Sequence, residues 1–190
     1  LLLPFNVFEM FPQMFFRSQV SQTAIHDFAN HIDEIPKFVS NDYIDMGKIS
    51  SISRFRSGYG HDYVDDFETC RSMKHYYAPK ESVTDFSTID IFSPISGTVV
   101  SMEESNGIRI NIKSVSYPEY QFIIFHVNTL PFVQIGYEVE AGEKIGTHIN
   151  NTTISDIAVQ RFVLHENQFK KQLVSFFDVM TDDFFASYSA

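Results

Sequence analysis

Between residues 53 and 162 the chain never travels far without a breaker. Short β-branched and aromatic runs (Ile89–Phe92, Gly97–Met102, Ile108–Ile112, Gln121–His126, Glu138–Val139, Lys144–Ile149 and Ile157–Phe162) are separated by Gly, Pro, Asn and Ser. Several alternate apolar with polar residues, as in Arg109-Ile110-Asn111-Ile112-Lys113, which is the period of a half-buried strand. Strands this short and this closely spaced predict an antiparallel sandwich or barrel. The core it encloses should be built on rings, because the chain has 20 Phe and 9 Tyr but no Trp.

The flanks read differently. Residues 1–52 form a mixed, partly helical extension. From Ser21 onward Ile25, Phe28, Ala29, Ile32 and Ile35 share one helical stripe, which Pro36 ends. His26 and His31 fall in that helix, five residues apart rather than the four of a helical metal clip, and read as surface or cap residues. Residues 166–190 are expected to add a C-terminal helix on the core, since Leu173, Phe176, Phe177, Met180, Phe184 and Tyr188 recur at helical spacing. Residues 53–165 are the β-rich core.

At 190 residues the chain is long enough to bury a core without staples, and its one cysteine, Cys70, makes no intramolecular disulfide. The formal charge of −10, with no cluster of Lys and Arg, excludes nucleic-acid backbone binding and anionic membrane surfaces as its main business. Arg54 and Arg56 are the only hint of a basic patch. The longest apolar stretch, within residues 1–16, is broken by Pro4, Asn6, Glu9 and Pro12, so no transmembrane segment is expected. The opening Leu1-Leu2-Leu3-Pro4 shows neither initiator Met nor cleavage site and reads as the start of a trimmed or mature chain. Asn150 and Asn151 begin overlapping glycosylation sequons, relevant if the chain is exported in a glycosylating organism.

Two segments echo each other: Ser93-Pro-Ile-Ser-Gly-Thr-Val-Val100 and Val139-Glu-Ala-Gly-Glu-Lys-Ile-Gly146, each a glycine-bearing turn feeding a strand. Such halves make up a barrel-sandwich hybrid. Together with Phe125-His-Val-Asn-Thr-Leu130 and Gly136-Tyr-Glu-Val-Glu-Ala-Gly-Glu-Lys-Ile-Gly146, the pattern resembles the duplicated-hybrid-motif superfamily and, within it, the lysostaphin-type (LytM-like) zinc endopeptidases that cut peptide cross-bridges in cell walls. The resemblance covers roughly residues 57–162. It implies a mainly β barrel-sandwich core, zinc as cofactor, a peptide or cell-wall-like polymer as partner, and an extracellular or cell-surface location.

The resemblance extends, residue by residue, to the family's chemical motifs. Gly60-His61-Asp62-Tyr63-Val64-Asp65 resembles the family's His-x-x-x-Asp and implies His61 and Asp65 as metal ligands, with Asp66 an alternative register. In an extended strand, residues four apart lie on one face, so an imidazole and a carboxylate can converge on one ion. His126 stands where the family's catalytic histidine would. The sequence departs at the last motif: Ser155-Asp156-Ile157-Ala158 replaces His-x-His, putting Asp156 at the catalytic position and Ala158, which has no donor atom, at the third ligand. His61 and Asp65 alone are too few for a zinc site, which needs three protein ligands. His75, in the long segment 68–85, and Asp156 are the candidate third ligands. His148 and His165 read as surface residues, and Cys70 as a small buried hydrophobe or a thiolate beside Arg71, Lys74 and His75. Two functions stay open: a divergent zinc peptidase with a non-standard third ligand, or the peptidase fold kept as a glycan- or protein-binding module.

Overall fold

The computed structural model describes residues 34–69 and 71–188, so the helix expected from Ser21, with His26 and His31, lies outside the described residues, as does Cys70. The architecture is mainly β. Ten strands are formed: β1 (Ile49–Ile52), β2 (His75–Pro79), β3 (Asp90–Phe92), β4 (Gly97–Glu104), β5 (Ile108–Ser114), β6 (Tyr120–Thr129), β7 (Glu138–Val139), β8 (Lys144–His148), β9 (Ser155–His165) and β10 (Gln168–Val174). Their pairings are antiparallel, in one open sheet of order β1-β2-β9-β6-β5-β4-β7, with β10 on β9 and β8 joining β6 to β3.

β6 and β9 are the centre of the sheet, and both of their faces are covered. Phe122 and Ile124 of β6 and Ile157 and Val159 of β9 enter the main core with Tyr43, Ile110, Ile112 and Phe176. The alternate residues Ile123, Phe125 and Ala158 enter a smaller cluster with Met73 and Leu173. Burial on both sides explains why Phe122-Ile-Ile-Phe125 shows no polar alternation. Each such side chain contributes about 1.5–3 kcal/mol on removal from water.

The echoed glycines have a shared physical reason. A Cβ on Gly97 would lie 2.5 Å from the Lys113 carbonyl oxygen, and one on Gly146 would strike the Asn128 carbonyl oxygen. Both halves therefore use a glycine to let a neighbouring strand pass close.

The segment 68–85 supplies a strand that the sequence reading did not include: β2 is cut from it and pairs with β9, His75 opposite Ile157 and Tyr76 opposite Asp156. Of the N-terminal extension, the described residues 34–52 form a 3₁₀ turn (Met46–Lys48) capped by Asp45 and then β1, with Val39, Tyr43 and Ile44 in the core. One expectation about the elements is corrected. The apolar stripe 173–188 is not one helix. β10 runs through Val174, a 3₁₀ turn follows at Phe176–Val179, and only α1 (Asp182–Ser187) is α-helical. Ser175 and Thr181 break the run because each side chain accepts a backbone N–H as a cap. The 3₁₀ spacing of three mimics a helical stripe. Phe38 and Val39 donate to the Val179 carbonyl, which ties this end to the start of the described chain.

Candidate functional site

The sheet brings five polar or charged side chains together near one end of β9. Antiparallel pairing sets Tyr76 directly across from Asp156, and alternation along the chain turns Lys74 to the same face as Tyr76. β6 contributes two consecutive residues. Arg109 alone lies between the pairs Ile108–Val127 and Ile110–Ile124, so it opposes both Phe125 and His126, which is a β-bulge. His126 takes the left-handed conformation there, with φ +62°. Phe125 and His126 can therefore both face the cluster, which an unbroken strand would forbid.

Lys74 is the centre. Its ammonium forms an ion pair with the Asp156 carboxylate, and both side chains are wholly buried. Nζ also lies 3.3 Å from His61 Nε2. Rings cover its remaining side: Phe125 at 4.2 Å, Tyr76 at 4.9 Å and Tyr63 at 5.1 Å from Nζ to ring centroid. An ammonium can only donate, so His61 Nε2 accepts and Nδ1 carries the imidazole proton, directed at Tyr76 Oη 3.3 Å away. Tyr76 Oη accepts as well from the His61 backbone N–H. On the far side of Asp156, His126 Nε2 lies 3.3 Å from Oδ1 while Nδ1 donates to the Asn106 carbonyl at 2.9 Å. Burial raises the Asp156 pKa above the usual carboxylate range, opposed first by Lys74 and then by His126 and His61.

Asp65 and His75 have other employment. Residues 58–61 and 66–67 bend, with Gly60 at φ +76°, and between them only Tyr63 makes a single β-bridge, so His61 and Asp65 do not lie on one regular strand that would aim them at one point. Asp65 accepts from the backbone N–H groups of Phe67, Glu68 and Leu173, the last at 2.7 Å, and Asp66 accepts from Lys171 N–H at 2.6 Å. These carboxylates satisfy the outer edge of β10. His75, one residue from Lys74, faces the other way: Nδ1 donates to the Ser53 carbonyl at 2.8 Å and Nε2 accepts from Ser175 Oγ at 2.9 Å. Ala158 is packed in the small apolar cluster. His165 is half exposed, but His148 is buried and donates to the Ile149 carbonyl, contrary to its reading as a surface residue.

The structure thus gathers His61, His126 and Asp156 and leaves Asp65 and His75 out. The residue that sequence reasoning did not assign is Lys74. No local signal marks it: Lys74 is turned to this face by the pairing of the adjoining β2 with β9, which the sequence does not display.

A zinc ion would need three deprotonated donors converging on a common point. That point is filled by an ammonium, the Asp65 carboxylate is held by three backbone N–H groups, and position 158 offers no donor. The residues present do not fit the metal. Among the described residues no group of three or more His, Cys, Asp or Glu is placed to hold one.

No family model matches the chain, and no curated protein matches it. Solved structures do. Several of these structural neighbours are peptidases of the LytM and lysostaphin type. One is described as a glycyl-glycine endopeptidase, lytM, from Ruminococcus gnavus (16% identity, TM-score 0.46, 86% of this chain and 66% of that one). Another is the catalytic domain of the antimicrobial peptidase lysostaphin from Staphylococcus simulans (17%, 0.41, 58% and 80%). A third is a zinc-containing peptidase from Vibrio cholerae (17%, 0.46, 77% and 41%). The chain spans just under two thirds of the first of these proteins and about two fifths of the third. No helix among the described residues is long and apolar enough to cross a membrane.

Proposed function

We propose that this chain is a lysostaphin-type peptidase-like domain used for recognition rather than hydrolysis, with its partner a peptide or cell-wall-like polymer met outside the cell. The observation that carries the reading is the buried Lys74–Asp156 pair at the convergence of His61 and Asp156. Hydrolysis by this family's chemistry needs a water activated at that point, and the ammonium leaves it neither room nor a Lewis acid. What remains reachable is a rim. Tyr59 is half exposed and packs edge-on against Tyr76 with centroids 5.4 Å apart, and His61 is exposed beside it. An aromatic face next to polar groups suits the stacking of a sugar ring or a peptide plane.

The test uses the purified chain supplied with zinc during expression. Elemental mass spectrometry should find zinc far below one ion per chain, and glycine-rich cross-bridge peptides should stay intact. Sedimentation with insoluble peptidoglycan should retain the protein, and Tyr59→Ala should weaken retention about tenfold, the loss of roughly 1.4 kcal/mol expected for one stacking contact. Stoichiometric zinc that disappears in His61→Ala, accompanied by peptide cleavage, would replace this reading with an active endopeptidase.

A further inference from the structure

We propose that Lys74 and Asp156 join covalently in the folded chain, Nζ of the lysine and Cγ of the aspartate forming an isopeptide bond with loss of one water. The inference goes beyond the recognition reading and does not depend on it.

The two groups meet under the conditions that amide formation needs. Both side chains are wholly buried and in contact. Lys74 directly precedes β2, and β2 pairs with β9, so adjacent strands hold the amine and the carboxyl together while the sheet is intact. Fixing a nucleophile against its electrophile replaces an encounter in solution by an effective concentration of about 10⁵ M or more. Water, which keeps such a pair ionised in solution, is shut out by the rings of Phe125, Tyr76 and Tyr63 around Nζ. Neither oxygen of Asp156 accepts a hydrogen bond of ordinary geometry from the described residues, so no backbone N–H or hydroxyl supports the carboxylate. Two charges buried in this way are costly, whereas an amide in the same place carries none.

The flanking imidazoles supply the proton traffic. His61 Nε2, 3.3 Å from Nζ, accepts a proton from the ammonium and frees the lone pair that attacks Cγ. Once the N–C bond has formed, the nitrogen loses a second proton by the same route, because His61 is exposed and returns each proton to solvent. On the other side of the carboxyl, His126 Nε2 lies 3.3 Å from Oδ1 and its ring is partly exposed, so it passes two protons from solvent to that oxygen. The Cγ–Oδ1 bond breaks, Oδ1 leaves as water, and Oδ2 stays as the amide oxygen. The nitrogen gives up two protons and Oδ1 gains two, so one ammonium and one carboxylate become one amide and one water. No further reactant enters. With a single cysteine the chain makes no intramolecular disulfide, and this bond closes a loop of the same kind between positions 74 and 156.

Intact-mass spectrometry of the purified chain, denatured after its fold has been checked by circular dichroism, is the test. Wild type should weigh one water less than its sequence. Peptide mapping should then find a branched species joining the peptide that contains Lys74 to the one that contains Asp156. Lys74→Arg and Asp156→Ala should each have the full mass of their sequences. His126→Ala keeps both partners and loses the proton donor, which slows such a step about 10²-fold or more, so it should be isolated with a full-mass fraction. Folded wild type at its full sequence mass overturns the inference. So does a water loss that maps to any other pair or that persists in Asp156→Ala. His126→Ala coupled as completely as wild type overturns the proton route. The decisive mass is that of wild type, so the test survives variants that do not fold. Stoichiometric zinc, read separately by elemental analysis, would overturn the recognition reading instead, and the two failures are thus distinct.

Discussion

Lys74 and His75 are adjacent in the chain and sit on opposite faces of it, and that alternation decides what each can do. Lys74 meets Asp156. His75 is buried with both ring nitrogens occupied by Ser53 and Ser175, and burial lowers its pKa; the same cause lowers that of His148. In the unfolded chain both histidines take up protons near their ordinary pKa of about 6.5. The folded state takes them up only at lower pH, so it binds fewer protons between those two values. Their contribution to stability is therefore complete above about pH 7 and is lost as pH falls below about 6.5. Urea unfolding followed from pH 8 to pH 5.5 should show that decline, and His75→Gln should make it shallower by up to about 1.4 kcal/mol per pH unit. An equally steep decline in the variant would remove His75 from the account. At this scale the sequence was legible where chemistry is short-range. His61, His126 and Asp156 were named from the resemblance to the peptidase motifs, and the fold brings their side chains near one another. Asp65 was named from the same motif as a partner of His61, but nothing in His-x-x-x-Asp reveals that the carboxylate will spend itself on three backbone N–H groups. Removing it tests that role. Asp65→Ala should cost about 1–3 kcal/mol, the usual penalty for stranding backbone donors, and should speed hydrogen exchange at Leu173.

Among the elements, the strand cadence from Ile89 to Phe162 was readable because each run is bounded by a breaker, and β3 to β9 fall where those runs lie. β2 and β10 were not readable. β2 is joined to the sheet by tertiary pairing with β9, and β10 carries Phe169-Lys-Lys-Gln, a half-exposed edge with no clean alternation. The bulge at Phe125–His126 was equally invisible, since it depends on the register between β5 and β6. The glycines at the close crossings make the first prediction here. Gly97→Ala and Gly146→Ala should each destabilise by about 1–3 kcal/mol in denaturant unfolding, because the atom met is backbone and cannot swing aside. Gly107 makes the second. It stands at φ +88° with a Cβ position 2.5 Å from Ile149 Cγ2 and 3.2 Å from the His126 backbone. Gly107→Ala should therefore shift the His126 ring resonances in a heteronuclear NMR spectrum along with lowering stability. Unchanged His126 signals would separate that turn from the cluster.

For the molecule as a whole, charge is the dominant long-range term. Its ion pairs outside the cluster, such as Lys144–Asp90 and Lys48–Asp45, involve substantially exposed groups and each is worth little in water. The excess of acids, −10 overall, acts over the whole surface. Screening should relieve more repulsion than it weakens attraction, so raising sodium chloride from 10 to 150 mM should raise the melting temperature; a fall would mean the surface pairs matter more than their exposure suggests. Of the architecture at this scale, the antiparallel β body was legible in the strand cadence, whereas the ring-built core expected from composition was not found: among the described residues Ile and Val outnumber the rings that are buried. The content of its centre was not legible, because it depends on a lysine meeting a carboxylate across the sheet, 82 positions further along the chain. That meeting has a consequence for how the chain is made. Lys74 is synthesised well before Asp156, so a growing chain carries the lysine's charge without its counter-charge until β9 has emerged and paired with β2. The centre of the sheet can close only once nearly the whole chain exists.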